Sequence, residues 1–148
     1  MSIDGFLTVP GIPGESTRAG HEDEIEVHGV TFGMEAPVAR GGVARGRVSF
    51  DPVVVSKSYD RSSPALKGAL ATHRHLDEVV LSVQRTVEGE QADYLVVTLE
   101  DVSVVKYDLY LDTERDGVLV EQVAFTYRSV AFTYAGQYEV ELEVRGAR

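Results

Sequence analysis

No cysteine occurs anywhere in the chain, so disulfides and thiolate metal sites are excluded and folding in a reducing cytosol is expected. Basic residues are few: 14 Lys and Arg stand against 24 Asp and Glu, a net charge of −10. That balance argues against nucleic acid as the main partner, because phosphate binding needs clustered Lys and Arg. No apolar run approaches the ~20 residues needed to cross a bilayer, so membrane insertion is not expected. The start, "MSIDGFLTVPG", has no basic end, no useful apolar run and no small-residue cleavage site, which argues against a secretory signal. The phosphate-cradling G-x-x-x-x-G-K pattern is missing, and so is the G-x-S-x-G elbow that presents a nucleophilic serine. What remains is an acidic chain of 148 residues, expected to form one domain over 1–148 with its own core.

The dominant period is two. In "DEIEV", Ile25 and Val27 share one face and Glu24 and Glu26 the other, the pattern of a half-buried strand. After Gly29 the apolar positions are Val30 and Phe32, the opposite parity, which predicts a bulge or bend near Gly29. Residues 35–46, "EAPVARGGVARG", resist both helix and strand and read as a long exposed loop. "RVSFDPVVVSKSY" resumes as strand, with Pro52 marking an edge or bend. "SSPALKGALATHRHL" is the one helix, with Ser63 as N-cap, Pro64 in the first turn, and Leu66, Ala69, Leu70 and His73 on one face. His73 is expected half-buried on that seam.

Strands fill the rest. Val79, Leu81 and Val83 line one face, then "EGEQAD" is a polar turn. Leu95, Val97 and Leu99 point inward, and Val102 and Val104 follow after a parity shift at Asp101. "TERDG", with Asp116-Gly117, is the next turn, and Ala135-Gly136 closes a last hairpin. "AFTY" occurs at 124–127 and 131–134, an odd offset that reads as repeated β-propensity and not as a structural repeat. In "QYEVELEV", Tyr138, Val140, Leu142 and Val144 face away from Glu139, Glu141 and Glu143.

The densest polar chemistry lies in residues 14–27, "GESTRAGHEDEIEV". His21, Glu22, Asp23, Glu24, Glu26 and His28 supply donors enough for a metal. Their spacing matches neither a zinc nor an EF-hand pattern, so a solvated loop and strand face is the better reading. His73 and His75 sit two apart around Arg74 and do not share a helix face. No catalytic, cofactor-binding or metal-binding residue is assigned. The residues alone stop at an acidic all-β domain with one helix and one long glycine-containing loop.

Taken in order, "IDGFLTVPGIPGEST", "DEIEV", "SPALKGALATHRHLDEVVLSV", "GEQADYLVVTLEDVSV" and "EQVAFTYRSVAFTY" resemble the Hcp family, the tube-forming proteins of bacterial type VI secretion systems. The most specific block is Gly14, Glu15, Ser16 and Thr17 followed by Asp23, Glu24, Ile25, Glu26 and Val27. The resemblance implies an all-β fold, a two-sheet β-barrel like that of phage tail tubes, with one flanking α-helix and an extended loop. It implies a structural subunit and not an enzyme, with no cofactor. Six copies would form a homohexameric ring, and rings would stack into a tube. Further partners would be a contractile sheath, a spike protein and effector proteins carried in the lumen. The protein would be cytoplasmic before assembly and then secreted by the apparatus without a signal peptide. The extended loop would supply ring-stacking contacts from Glu35, Pro37, Arg40, Gly41, Gly42, Arg45, Gly46 and Arg47. Its arginines differ from the neutral Gly/Ser loops expected of the family, and the final "FTYAGQYEV" hairpin is tighter than the family's usual connection. Two alternatives stay open: a tail tube subunit of another phage-like contractile particle, and a metal-dependent enzyme or binding module built on the acidic cluster.

Overall fold

The computed structural model describes residues 2–114 and 117–144. Its elements are β1 (Ser2–Thr8), β2 (Ile25–Val27), β3 (Gly29–Thr31), β4 (Met34–Glu35), β5 (Ser49–Phe50), β6 (Val53–Ser58), α1 (Ser63–Ala71), β7 (Leu76–Val87), β8 (Glu90–Asp112), β9 (Val118–Thr126), β10 (Ser129–Tyr134) and β11 (Tyr138–Glu143). The 23-residue β8 organises the rest. Its first half lies between β7 and β10, and β1, β2 and β11 extend that sheet outward. Its second half pairs with β9, which leads to β6 and β3 in a second sheet. The sheets share β8 but do not close, so β2, β3 and β11 each pair on one side only. The fold is barrel-like and open.

Asp101 makes the hand-over within β8. Its φ of 52° lies in the left-handed region, and across it the buried row of the strand changes parity while the register to β7 is kept. Leu99 before it and Val102 after it are therefore both buried, as the sequence pattern requires. The bend expected near Gly29 is a second hand-over. β2 pairs with β1 in the first sheet, and β3 pairs with β6 in the second. Val30, expected on a buried face, is 40% exposed, because β3 is the outermost strand of its sheet. Between the sheets lie Ile25, Val55, Val79, Val102, Val123, Phe125 and Val130, all fully buried. Such burial is worth about 1.5–3 kcal/mol per side chain.

Several local expectations change. The helix stops at Ala71. His73 adopts φ 54°, its N–H bonding to Leu70 O while Arg74 N–H bonds to Ala69 O at 2.9 Å. This is the paired-bond helix stop that usually carries glycine. It turns His73 out to solvent, so the residue is exposed and does not sit on the helix seam. At the other end Ser62 takes the cap position without a side-chain capping bond, and Ser63 is the first helical residue. The polar turn "EGEQAD" contracts to Glu88 and Gly89, both with positive φ, since Val87 pairs directly with Glu90. A bulge between Val83 and Gln84 takes up the odd residue. Arg115 and Asp116 of "TERDG" lie outside the described residues. The first "AFTY" segment ends β9, with Tyr127 just beyond it, the second lies in β10, and the bend between those strands lets Phe125 and Phe132 both face the core.

Candidate functional site: a closed loop, a buried ion pair and an open arm

Residues 14–24 fold onto themselves. Gly14 N–H donates to Asp23 O at 2.7 Å, Asp23 N–H to Ser16 O at 2.8 Å and Ser16 N–H to Glu24 O at 3.0 Å. A Cβ on Gly14 would stand 2.5 Å from both Glu24 O and Ile25 Cα, so only glycine permits this approach of two backbone segments. Ser16 is buried, while Glu15, Thr17 and Glu26 are exposed. Glu15 accepts from Arg61 N–H at 2.7 Å, and Asp23 accepts from the Arg61 guanidinium at 2.9 Å. Arg18 donates to Gln84 Oε1 and to Asp4 Oδ2, each at 2.9 Å.

His21 is the buried centre of this loop. Its ring stacks on Phe6 with centroids 4.6 Å apart and an 8° interplanar angle. Nδ1 lies 2.9 Å from Glu24 Oε1 and Nε2 3.0 Å from Asp93 Oδ1. Burial opposes a charge on the ring, but the hydrogen bonds and negative charges of Glu24 and Asp93 outweigh it and raise the pKa above 6.5. The acidic cluster that invited a metal reading is thus divided among arginine, histidine and backbone partners. Among the described residues no group of three or more histidines and carboxylates is placed to hold a metal ion.

A second polar cluster escaped the sequence reading. Lys57 on β6 and Glu121 on β9 stand directly opposite in register, and both are fully buried. Lys57 Nζ bonds to Glu121 Oε1, to Ser63 Oγ at 3.1 Å and to Ser58 O at 3.0 Å, with Asp60 Oδ1 at 3.1 Å. The Ser63 and Tyr107 hydroxyls donate to the two carboxylate oxygens of Glu121. Burial, and after it the Glu121 carboxylate, pushes the Tyr107 hydroxyl far up. The signal was parity: Lys57 continues the inward row of Val53 and Val55, and Glu121 that of Val123 and Phe125. The cluster locks the start of α1 to the second sheet.

Residues 35–46, expected as a long exposed loop, form with their flanks a two-stranded arm over 33–51. β4 pairs with β5 through Met34–Phe50 and Glu35–Ser49. Farther out Val38 bridges Ala44, Ala39 N–H bonds to Val43 O at 2.8 Å and Arg45 N–H to Pro37 O at 2.9 Å. Gly41 and Gly42 form the tip with φ of 86° and 80°. This glycine pair sits in the turn, where positive φ is needed, and the residues beside it are free to pair. The base is anchored: Phe32 meets Phe132 edge-on at 5.0 Å, and Tyr127 Oη donates to Asp51 O at 2.8 Å. Burial, with the Asp51 charge second, raises the Tyr127 hydroxyl to about 12.

Beyond this base the arm is exposed, Val38 by 70% and Val43 by 53%. Arg40, Arg45 and Arg47 are exposed, and among the described residues none forms an ion pair or side-chain hydrogen bond. The arginines described elsewhere are all engaged. Arg18 and Arg61 bind the motif loop, Arg74 donates to Pro10 O, Arg85 covers Tyr94 and Arg128 pairs with Asp101. Beside the arm base a cleft of about 590 Å³ is lined by Met34, Arg47, Phe50, Leu142 and Glu143. On β11 the row of Glu139, Glu141 and Glu143 is exposed, and so are Tyr138 and Val140 of the opposite row.

The comparisons with known proteins agree with this geometry. The family model "Type VI secretion system effector, Hcp" matches residues 6–134. The "Major exported protein" of Pseudomonas aeruginosa is 32% identical over 130 residues, covering 82% of this chain and 74% of that protein. "Protein hcp1" of the same organism is 27% identical over 140 residues, covering 93% and 86%. Among solved structures, a mutant form of Hcp1 from the E. coli EAEC 042 pathovar aligns with TM-score 0.84 and 25% identity over 97% of this chain and 98% of that one. Hcp1 from Salmonella typhimurium aligns with TM-score 0.80 and 23% identity over 97% and 96%, a likeness of fold.

Proposed function

The chain belongs to the Hcp family of type VI secretion, and from that premise we propose that it is a structural tube subunit and not an enzyme. Six copies form a ring through the open sheet edges, because unpaired strand edges are a hazard that a closed ring removes. Rings stack through the arm, with Arg40, Arg45 and Arg47 meeting the acidic surface of the next ring. One observation carries the stacking role: on a chain of net charge −10, the three arm arginines have no partner among the described residues, while the arginines described elsewhere all do. Pro37, Gly41, Gly42 and Gly46 shape the arm, and Glu35 pairs at its base. The tube would be driven out by a contractile sheath, capped by a spike protein and loaded with effectors. Export would follow assembly in the cytoplasm.

Light scattering and negative-stain images of the purified protein test this reading. Open rings of six chains are expected, stacking at low salt and separating as salt screens the arm. A stable monomer would overturn the tube role. An Arg40→Ala, Arg45→Ala, Arg47→Ala variant that stacks as well as the parent at low salt would overturn the arm role alone.

A further inference from the structure

Two contacts tie the motif loop to the outer end of the β7–β8 hairpin, and both land at the bulge between Val83 and Gln84. Arg18 reaches Gln84 on β7, and His21 reaches Asp93 on β8. We propose that His21 is a pH-sensitive clasp: as an imidazolium it joins Glu24 of the loop to Asp93 of the hairpin, and loss of its proton releases the β8 side of the hairpin's outer end, while β7 stays held by Arg18 and by β1. The argument starts from donor counting. A neutral imidazole has one N–H and one lone pair, whereas the cation has two N–H groups. Both ring nitrogens here lie within 3.0 Å of a carboxylate oxygen, so only the cation satisfies both contacts with ionised acids. Deprotonation turns one of them into a lone pair facing a carboxylate.

The surroundings hold the ring at that point. Phe6 of β1 stacks on it, and Arg18 lies over the same Phe6 ring with Cζ 5.6 Å from the centroid. The charged groups around His21 are Glu24 and Arg18 from the loop, Asp93 from β8 and Asp4 from β1, the last paired with Arg18. Gln84 from β7 is neutral, so proton loss removes one of the two contacts and leaves Arg18–Gln84 intact. Asp93 is the partner released, because its side chain is 48% exposed against 20% for Glu24, which also stays on the same loop three residues away. The folded pKa is raised, so the clasp's contribution is fully present below the ordinary histidine value and is lost as pH rises through the folded value.

The test uses the full assembled protein. Histidine C2 hydrogen exchange read by mass spectrometry gives the midpoint of His21, and backbone amide exchange, corrected for intrinsic pH dependence, gives the opening of residues 84–93. His21 is expected to titrate above 6.5, with protection of 84–93 falling as it deprotonates, by about tenfold for each unit the folded value is raised. Asp93→Asn should lower the His21 midpoint and flatten the pH dependence of 84–93, while leaving the protection of β9 unchanged. A His21 midpoint at or below 6.5 overturns the clasp. So does protection of 84–93 that ignores the His21 titration in the parent, or keeps its full pH dependence in Asp93→Asn.

Discussion

Residues 14–24 and the arm at 33–51 look alike in sequence, since both are rich in glycine and charge and neither keeps a period. Their charges do opposite things. In the first segment, Arg18, His21, Asp23 and Glu24 bind inside the chain, and Gly14 is required because another backbone segment passes against it. In the second, the arginines point outward, and Gly41 and Gly42 are required by turn geometry with no atom within 4 Å of a would-be Cβ. A loop whose arginine and histidine are engaged by its own chain belongs to the fold. A loop whose charges are unengaged is available to something else. Composition cannot separate the two cases; the partner of each side chain does.

Substitutions can break or sharpen this contrast, beginning with the largest effect. Glu121→Leu takes from the Lys57 ammonium its fully buried counter-ion, leaving only Asp60 at 3.1 Å, and should cost about 3–5 kcal/mol in chemical unfolding. Lys57→Met with Glu121→Leu should recover most of that loss, because an apolar pair needs no compensation. A double variant as unstable as the single would show that the Ser63 and Tyr107 bonds, and not the ion pair, hold the site. Gly14→Ala should cost about 1–3 kcal/mol, since its Cβ meets backbone on both sides. Gly41→Ala should cost only the left-handed penalty, about 1–2 kcal/mol or less at an exposed tip. Equal losses for these two glycines, by thermal or chemical melts, would erase the distinction drawn above. Smallest of all, the triple arginine-to-alanine arm variant should leave ring unfolding within about 0.5 kcal/mol of the parent. Its effect should be confined to stacking, read as shorter tubes at low salt.

The parts of the fold legible from sequence were those written in alternation. The sheet hand-overs at Gly29 and Asp101 were visible because a one-residue slip exchanges buried and exposed rows, and apolar residues mark both sides of each slip. The start of α1 was visible to within one residue through Ser63 and Pro64, the cap falling on Ser62. Its end was not, because His73 occupies a left-handed stop where glycine would have signalled it. The arm was mistaken for an irregular loop because its pairing residues are ordinary ones and its glycines are conspicuous. The Lys57–Glu121 pair was missed for a related reason. Two charged residues at inward positions read as a break in the pattern, until register sets them opposite each other. The unengaged state of the arm arginines was beyond sequence altogether, since it depends on what does not come near them in space.

The passage of β8 through both sheets has a mechanical meaning. At its crease, the Asp101 carboxylate is held by the Arg128 guanidinium and by His75 Nε2 at 3.1 Å. Two sheets joined only by packed side chains could slide over one another under load. Here a shear between them would have to strain the covalent backbone of one continuous strand. A rod built from such subunits could bend or part between rings while each building block stayed stiff.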